Sequence, residues 1–189
     1  MMVSPDQKRR DKVDALSGYL PPVVILARPQ MAENIGAAAR AMMNCGLSDL
    51  RLVAPRDGWP NLAAVPMAAG GAQIIENATL HDDIAAAGHD VTFIAAASAR
   101  RRDMPIRETD PRAAAGEIVA HEGKAALLFG AEASGLDNDE VAQADVLVTA
   151  SLNPDYPSLN LAQAVLLLAW EWRAAMLVAS ANTISASIP

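Results

Sequence analysis

The sequence predicts a single α/β domain built on a mostly parallel sheet with helices on both faces. Three observations lead there. From Pro22 onward, short apolar runs alternate with segments of helical pattern, the order produced when parallel strands are joined by crossover helices. The runs are continuously apolar, as strands covered on both faces are. Helix boundary residues fall where one pattern gives way to the next. The chain has 189 residues, 52% of them hydrophobic, which is enough for one core.

The first strand is Val23–Ala27, followed by a helix over residues 33–45 that Gly46 ends. Leu50–Val53 and residues 91–97 are the next buried strands. A helix then starts at Asp110 with Pro111 in its first position, where a missing N–H costs nothing. Ala125–Phe129 is a further strand, Asp137 and Glu140 form a D-x-x-E helix start, and residues 146–150 read as the last strand. The final helix runs from Ser158 to about Val178, with Leu161, Val165, Leu168 and Trp172 on one stripe and Ala162, Leu166 and Ala169 beside it. It is apolar on almost every side, so it must pack on its own domain and on something else.

Residues 1–20 are expected to be a polar leader, residues 21–178 the folded domain, and residues 179–189 a Ser- and Ala-rich tail weakly committed to structure. The leader mixes Lys8, Arg9, Arg10 and Lys12 with Asp6, Asp11 and Asp14, unlike a secretory signal. The apolar run from Leu161 to Trp170 is cut by Glu171 and Arg173, short of the roughly 20 residues that cross a bilayer. No membrane element is expected.

The formal net charge of −7 argues against a protein that coats nucleic acid through a basic surface. Any RNA site must be locally basic, and Arg100, Arg101, Arg102 and Arg107 form the only dense basic segment beyond the leader. Aromatic residues are scarce, with Trp59, Trp170 and Trp172 the largest, so base stacking by a dedicated platform is not expected and any RNA is read by shape and backbone. The lone Cys45 excludes an internal disulfide and fits a reducing cytoplasm. His81, His89 and His121 are too scattered for a zinc motif, and no metal is assigned. Neither G-x-G-x-x-G after the first strand nor G-x-x-x-x-G-K-[ST] occurs, which removes the main phosphate-contact signatures of dinucleotide and P-loop proteins.

Three other motifs occur in order. They are Asn34-Ile35-Gly36-Ala37-Ala38-Ala39-Arg40, then Leu127-Leu128-Phe129-Gly130-Ala131-Glu132-Ala133-Ser134-Gly135-Leu136, then Ser158-Leu159-Asn160-Leu161-Ala162-Gln163-Ala164. The third opens the last helix behind the loop Asn153-Pro154-Asp155-Tyr156-Pro157, and unpaired N–H groups at a helix start suit a carboxylate or other polar ligand atoms. With the connecting residues 46–53 and 97–100, the chain resembles the SpoU class of SPOUT RNA methyltransferases from about Pro22 to Ala174, and most nearly the TrmJ-type branch.

That resemblance implies a single SPOUT domain with a deep trefoil knot near the C-terminus. It implies S-adenosyl-L-methionine as cofactor, held by Ala97, Ser98, Ala99, Gly130, Ala150, Pro157, Ser158 and Leu159. The implied reaction is methylation of a ribose 2′-hydroxyl, of cytidine or uridine at tRNA nucleotide 32, the first of the anticodon loop. Ribosomal RNA is the alternative substrate, and a noncatalytic RNA-binding relative the other alternative. The implied assembly is a cytoplasmic homodimer whose RNA site is completed across the interface, as is common in such dimers.

Arg40, Asn34, Ser158 and Asn160 are the catalytic candidates, and Arg40, Arg100, Arg101 and Arg102 the RNA-binding ones. A ribose hydroxyl is a poor nucleophile until charge developing on its oxygen is stabilised. A guanidinium with a pKa above about 12 gives up a proton reluctantly, so Arg40 is read as an electrostatic and positioning group. Asn34 is read as orienting Arg40 or the ribose, and Glu132 as bracing its loop. Two positions depart from the family pattern. Ala96-Ala97-Ser98 stands where Gly-Thr-Ser is usual, and Pro157, which has no N–H to donate, where serine is usual.

Overall fold

A computed structural model of the chain describes residues 18–99 and 104–186. In chain order the main elements are β1 Val23–Ala27, α1 Ala32–Cys45 and β2 Leu50–Val53. Next come α2 Val65–Ala68 and α3 Ala72–Glu76, flanked by short 3-10 turns, then β3 Thr79–His81, α4 Ile84–Ala87 and β4 Phe93–Ala97. The second half contains β5 Glu108–Thr109, α5 Pro111–Ala120, β6 Ala125–Phe129, α6 Asn138–Val141, β7 Val146–Val148 and α7 Leu161–Ala186. The strands form one parallel sheet in the order β3-β2-β1-β6-β4-β7-β5.

Every residue of β1 and β6 is buried, which explains their unbroken apolar sequence. Along β1 the side chains alternate, Val24 and Leu26 entering one apolar cluster and Val23, Ile25 and Ala27 the other. The first cluster is covered by α1, α5 and α7, with α7 packed against both of the others. The second is thinner and takes Ile84 and Ala87 from α4, Val141 from α6, and Leu136. Both faces carry helices, but unequally.

Several boundaries move. The fourth strand begins at Phe93, and β7 ends at Val148. The edge strands β3 and β5 are three and two residues long, too short to show a period. The last helix starts at Leu161, since Asn160 is its cap and Ser158 lies in the loop before it. It also runs past the expected end at Val178 to Ala186, through most of the expected tail. Its alanines favour helix, and the hydroxyls of Ser180 and Thr183 donate back to the carbonyls of Met176 (2.8 Å) and Ala179 (3.1 Å), staying within the helix. Residues 1–17, most of the expected leader, lie outside the described residues.

By length and composition α7 could cross a membrane, since Leu161–Thr183 averages 1.4 in hydropathy. The span contains the two charges expected to cut it, and each has a partner. Glu171 meets Arg112 of α5 at 3.5 Å, and Arg173 donates to the carbonyl of Cys45 at the end of α1 at 3.2 Å. Leu161, Val165, Leu168, Ala169, Trp172 and Met176 are buried in the core.

One buried ionic network sits in the β2 region, away from the sheet's carboxyl edge. Arg51, 6% exposed, donates to Asp49, Asp90 and the carbonyl of Ala87, and Lys124 reaches the same Asp90 at 2.6 Å. Hydrogen bonds from Arg51 first and Lys124 second hold the Asp90 carboxyl well below the usual carboxylate range, against the opposing effect of burial.

Candidate active site

The strand order places the carboxyl ends of β6, β4 and β7 side by side, the edge at which open α/β sheets take ligands. A cavity of about 420 Å³ opens there, with Ala97, Phe129 and Val148 at the strand tips. Its other walls are the loop 130–136, the segment 150–159 and the first turns of α7. All eight positions expected to hold a cofactor line it: Ala97, Ser98, Ala99, Gly130, Ala150, Pro157, Ser158 and Leu159. The walls are mostly small and apolar, with Ser98, Glu132, Ser134 and Ser158 as polar points, a lining suited to a flat heteroaromatic ring and a polar tail.

The loop 130–136 requires its glycines. A Cβ on Gly130 would lie 2.2 Å from Gly135 C and Leu136 N, so only glycine lets the loop fold back this tightly. Gly135 has φ +67° and donates to the carbonyl of Ala131 at 2.7 Å. Directly beyond, Asp137 and Glu140 form a reciprocal capping box on α6, which confirms the expected helix start. Arg28, at φ 52° just past β1, grips Glu140 at 2.8 and 2.6 Å and so ties this box to the sheet. The hydrogen bond to Glu140 holds the Arg28 guanidinium above its ordinary pKa, with burial opposing.

Glu132 joins two motifs. Helix α1 begins at Met31, which has no side-chain cap. Glu132 instead anchors the entry to the helix, its carboxylate accepting from the N–H groups of Gln30 (2.7 Å) and Met31 (3.4 Å), which precede the first turn, and from Asn34 Nδ2 (2.7 Å) within it, a negative charge placed at the positive end of the helix. The expected bracing role of Glu132 thus extends to a distant helix. Asn34 engages Glu132, and not Arg40. Six residues along a helix turn a side chain about 240° and advance it about 9 Å, and Arg40 is exposed, without a hydrogen bond or ion pair among the described residues. It does not line the cavity.

The third motif also divides its labour. Asn160 Oδ1 accepts from Gln163 N at 2.8 Å while Gln163 Oε1 accepts from Asn160 N at 3.1 Å, a capping pair that starts α7. The N-x-x-Q spacing in the sequence is the signal for it. Ser158, by contrast, lines the cavity. Leu152 in the loop and Ala164 and Leu167 on α7 line it as well and were not foreseen, the last two because partial burial on one side of an all-apolar helix leaves no mark in the sequence. Arg100, Arg101 and Arg102 lie outside the described residues. Arg107, grouped with them, forms a two-pronged pair with Glu117. Among the described residues no cluster of His, Cys, Asp or Glu is arranged for a metal.

Residues 21–170 match the model of the SpoU rRNA Methylase family. The chain is 37% identical over 165 residues to an uncharacterized tRNA/rRNA methyltransferase of Haemophilus influenzae, covering 87% of this chain and 68% of that relative. It is 37% identical over 161 residues to the tRNA (cytidine/uridine-2′-O-)-methyltransferase TrmJ of Salmonella typhimurium, covering 84% of this chain and 66% of the other. The crystal structure of TrmJ from Z. mobilis ZM4 superposes with a TM-score of 0.79 at 47% identity, over 82% of this chain and 69% of that one. The chain spans about two thirds of the length of the curated relatives it matches.

Proposed function

The chain belongs to the SpoU methylase family, and from that membership we propose that it transfers a methyl group from S-adenosyl-L-methionine to a ribose 2′-hydroxyl of tRNA. The observation that carries the proposal is the convergence of all eight expected cofactor positions on one cavity at the sheet's carboxyl edge. The TrmJ-named relatives support tRNA and a cytidine or uridine ribose, and within tRNA we assign the target to the first nucleotide of the anticodon loop on the resemblance of the motifs alone. A ribosomal substrate is the second reading, favoured by the family's description as rRNA methylases.

Bound in the cavity, S-adenosyl-L-methionine supplies a sulfonium methyl that is already activated for transfer. The protein's tasks are then to enclose it, to place the hydroxyl and to stabilise charge on its oxygen. Ala97, Ala99, Ala150 and Leu159 form apolar walls for the adenine, and Gly130 allows close backbone approach. Pro157 leaves recognition at its own position to its carbonyl, because it has no N–H. Ser158 offers a hydroxyl at the cavity wall. Arg40 is assigned the electrostatic role at the ribose oxygen, and Asn34 positions the start of α1 through Glu132.

The reading includes a homodimer. Leu166, Trp170 and Val178 are 41%, 53% and 62% exposed along one side of α7, a face that a second copy would cover. Since Arg40 is off the wall of its own chain's cavity, the partner copy would supply it across the interface. The family's trefoil knot, a cytoplasmic location and RNA contacts from Arg100, Arg101 and Arg102 belong to the same reading.

The test is to incubate the protein with unmodified tRNA or ribosomal RNA and labelled S-adenosylmethionine, then to map 2′-O-methyl groups. A single methylated ribose in the anticodon loop is expected. Methylation confined to ribosomal RNA would select the second reading, and no transfer to either RNA would overturn both.

A further inference from the structure

Building on the methyltransferase reading, we infer that Tyr156 is the stacking surface for the base of the nucleotide whose ribose enters the cavity. The side chain is 75% exposed, and its hydroxyl has no partner among the described residues. The ring follows a turn in which Asn153 accepts from Tyr156 N at 2.9 Å through its carbonyl and from Asp155 N at 3.1 Å through its side chain. Pro154 and Pro157 restrict the chain on either side. Pro157 and Ser158, the next two residues, line the cavity. An aromatic ring is thus presented from a preorganised loop at the cavity rim, so little ordering cost remains when a flat partner binds.

The chemistry favours a base over a phosphate. The ring carries no charge, and exposed Asp155 beside it repels a phosphate. A nucleobase offers an uncharged π-face of matching size, and stacking accepts any base. The other large exposed aromatic, Trp170, lies about 14 Å further along α7 by helix rise, too far to share the task. One ring at the rim falls short of a dedicated platform and adds a single base contact to recognition by shape and backbone. It serves a single splayed-out nucleotide, the arrangement needed when a loop ribose must reach an enclosed methyl group.

The experiment compares the parental chain with Tyr156→Ala, Tyr156→Phe and Tyr156→Trp. The RNA is an anticodon stem-loop carrying 2-aminopurine at the nucleotide methylated in the mapping assay, or at the first loop nucleotide if none is. Stacking quenches 2-aminopurine fluorescence, and this readout needs no methyl transfer. Binding to the parental protein is expected to quench it, and binding to Tyr156→Ala is not. In single-turnover assays Tyr156→Ala should raise KM for RNA about ten-fold or more, keep its affinity for S-adenosylhomocysteine, and be rescued by Phe and Trp. Equal quenching with Tyr156→Ala would overturn the inference. So would a Phe variant as impaired as Ala, which would make the hydroxyl the active part, or an altered oligomeric state of Tyr156→Ala by light scattering, which would make the ring an interface residue. A parental protein that quenches but never methylates would sink the enzymatic reading and leave the stacking role standing.

Discussion

Arg40 and Asn34 share a motif, yet the structure gives them different surroundings, and that separation shapes what their loss should do. Asn34 is engaged with Glu132 at 2.7 Å, so its removal acts on how α1 meets the cofactor loop. Arg40 is exposed and free of partners among the described residues, the state of a group whose partner arrives with substrate or with a second copy. Arg40→Ala should therefore bind S-adenosylhomocysteine as the parental protein does, while single-turnover methyl transfer falls by about two orders of magnitude or more, the scale of losing a transition-state charge partner. Unchanged single-turnover chemistry would remove Arg40 from the catalytic role. A second residue-scale prediction concerns acid stability. The Asp90 carboxyl is held low in the folded state by Arg51 and then Lys124. Its contribution is complete above the unfolded value of about 4 and is lost as pH falls through the lower folded value. Asp90→Asn should cost about 1–3 kcal/mol at neutral pH by replacing one of the two carboxylates that buried Arg51 donates to with a neutral amide. Its urea midpoint should then vary less than the parental one below about pH 4, and a parallel pH dependence would refute the assignment. The residue types of both groups were legible in the sequence. That Asp49, Asp90 and Lys124 meet at Arg51 was not, since these residues are separated by as many as 75 positions.

At the scale of elements, the N-x-G-x-x-x-R motif combines chemistry with packing. A Cβ on Gly36 would stand 2.0 Å from the carbonyl oxygen of Ala64, so α1 approaches the turn before α2 closely only because residue 36 lacks a side chain. Two effects oppose each other in Gly36→Ala. Helix propensity favours alanine by up to about 1 kcal/mol, whereas overpacking against rigid backbone costs about 1–3 kcal/mol. The clash should win, and chemical denaturation should show net destabilisation. A more stable variant would mean that the segment relaxes freely. The main strands were legible because burial on both faces leaves continuous apolar runs, and helices α1, α5 and α6 because their ends carry Gly46, Asp110 and the Asp137 and Glu140 pair. The ends of α7 were misplaced for physical reasons. Asn160 and Gln163 set its start by capping, and the hydroxyls that suggested a tail instead turn back onto helix carbonyls.

For the whole molecule, the consequential surface is the outer side of α7, where Leu166 and Trp170 remain exposed one turn apart. If a second copy covers them, a Leu166→Glu, Trp170→Glu double variant should be monomeric by light scattering, keep its cavity and its S-adenosylhomocysteine binding, and lose RNA methylation. A folded monomer that methylates at the parental rate would refute completion of the site across the interface. The sequence by itself determined the α/β class and the two-sided burial of the central strands, because burial and turn chemistry act locally and repeat along the chain, while the cofactor positions came from the resemblance of its motifs to a family. Only the tertiary structure decided that eight positions spread over residues 97–159 face one space, that Glu132 anchors the entry to α1, and that Arg40 stands apart from its own cavity. Those outcomes follow from sheet order and loop closure, which bring distant segments together through contacts that no local pattern encodes.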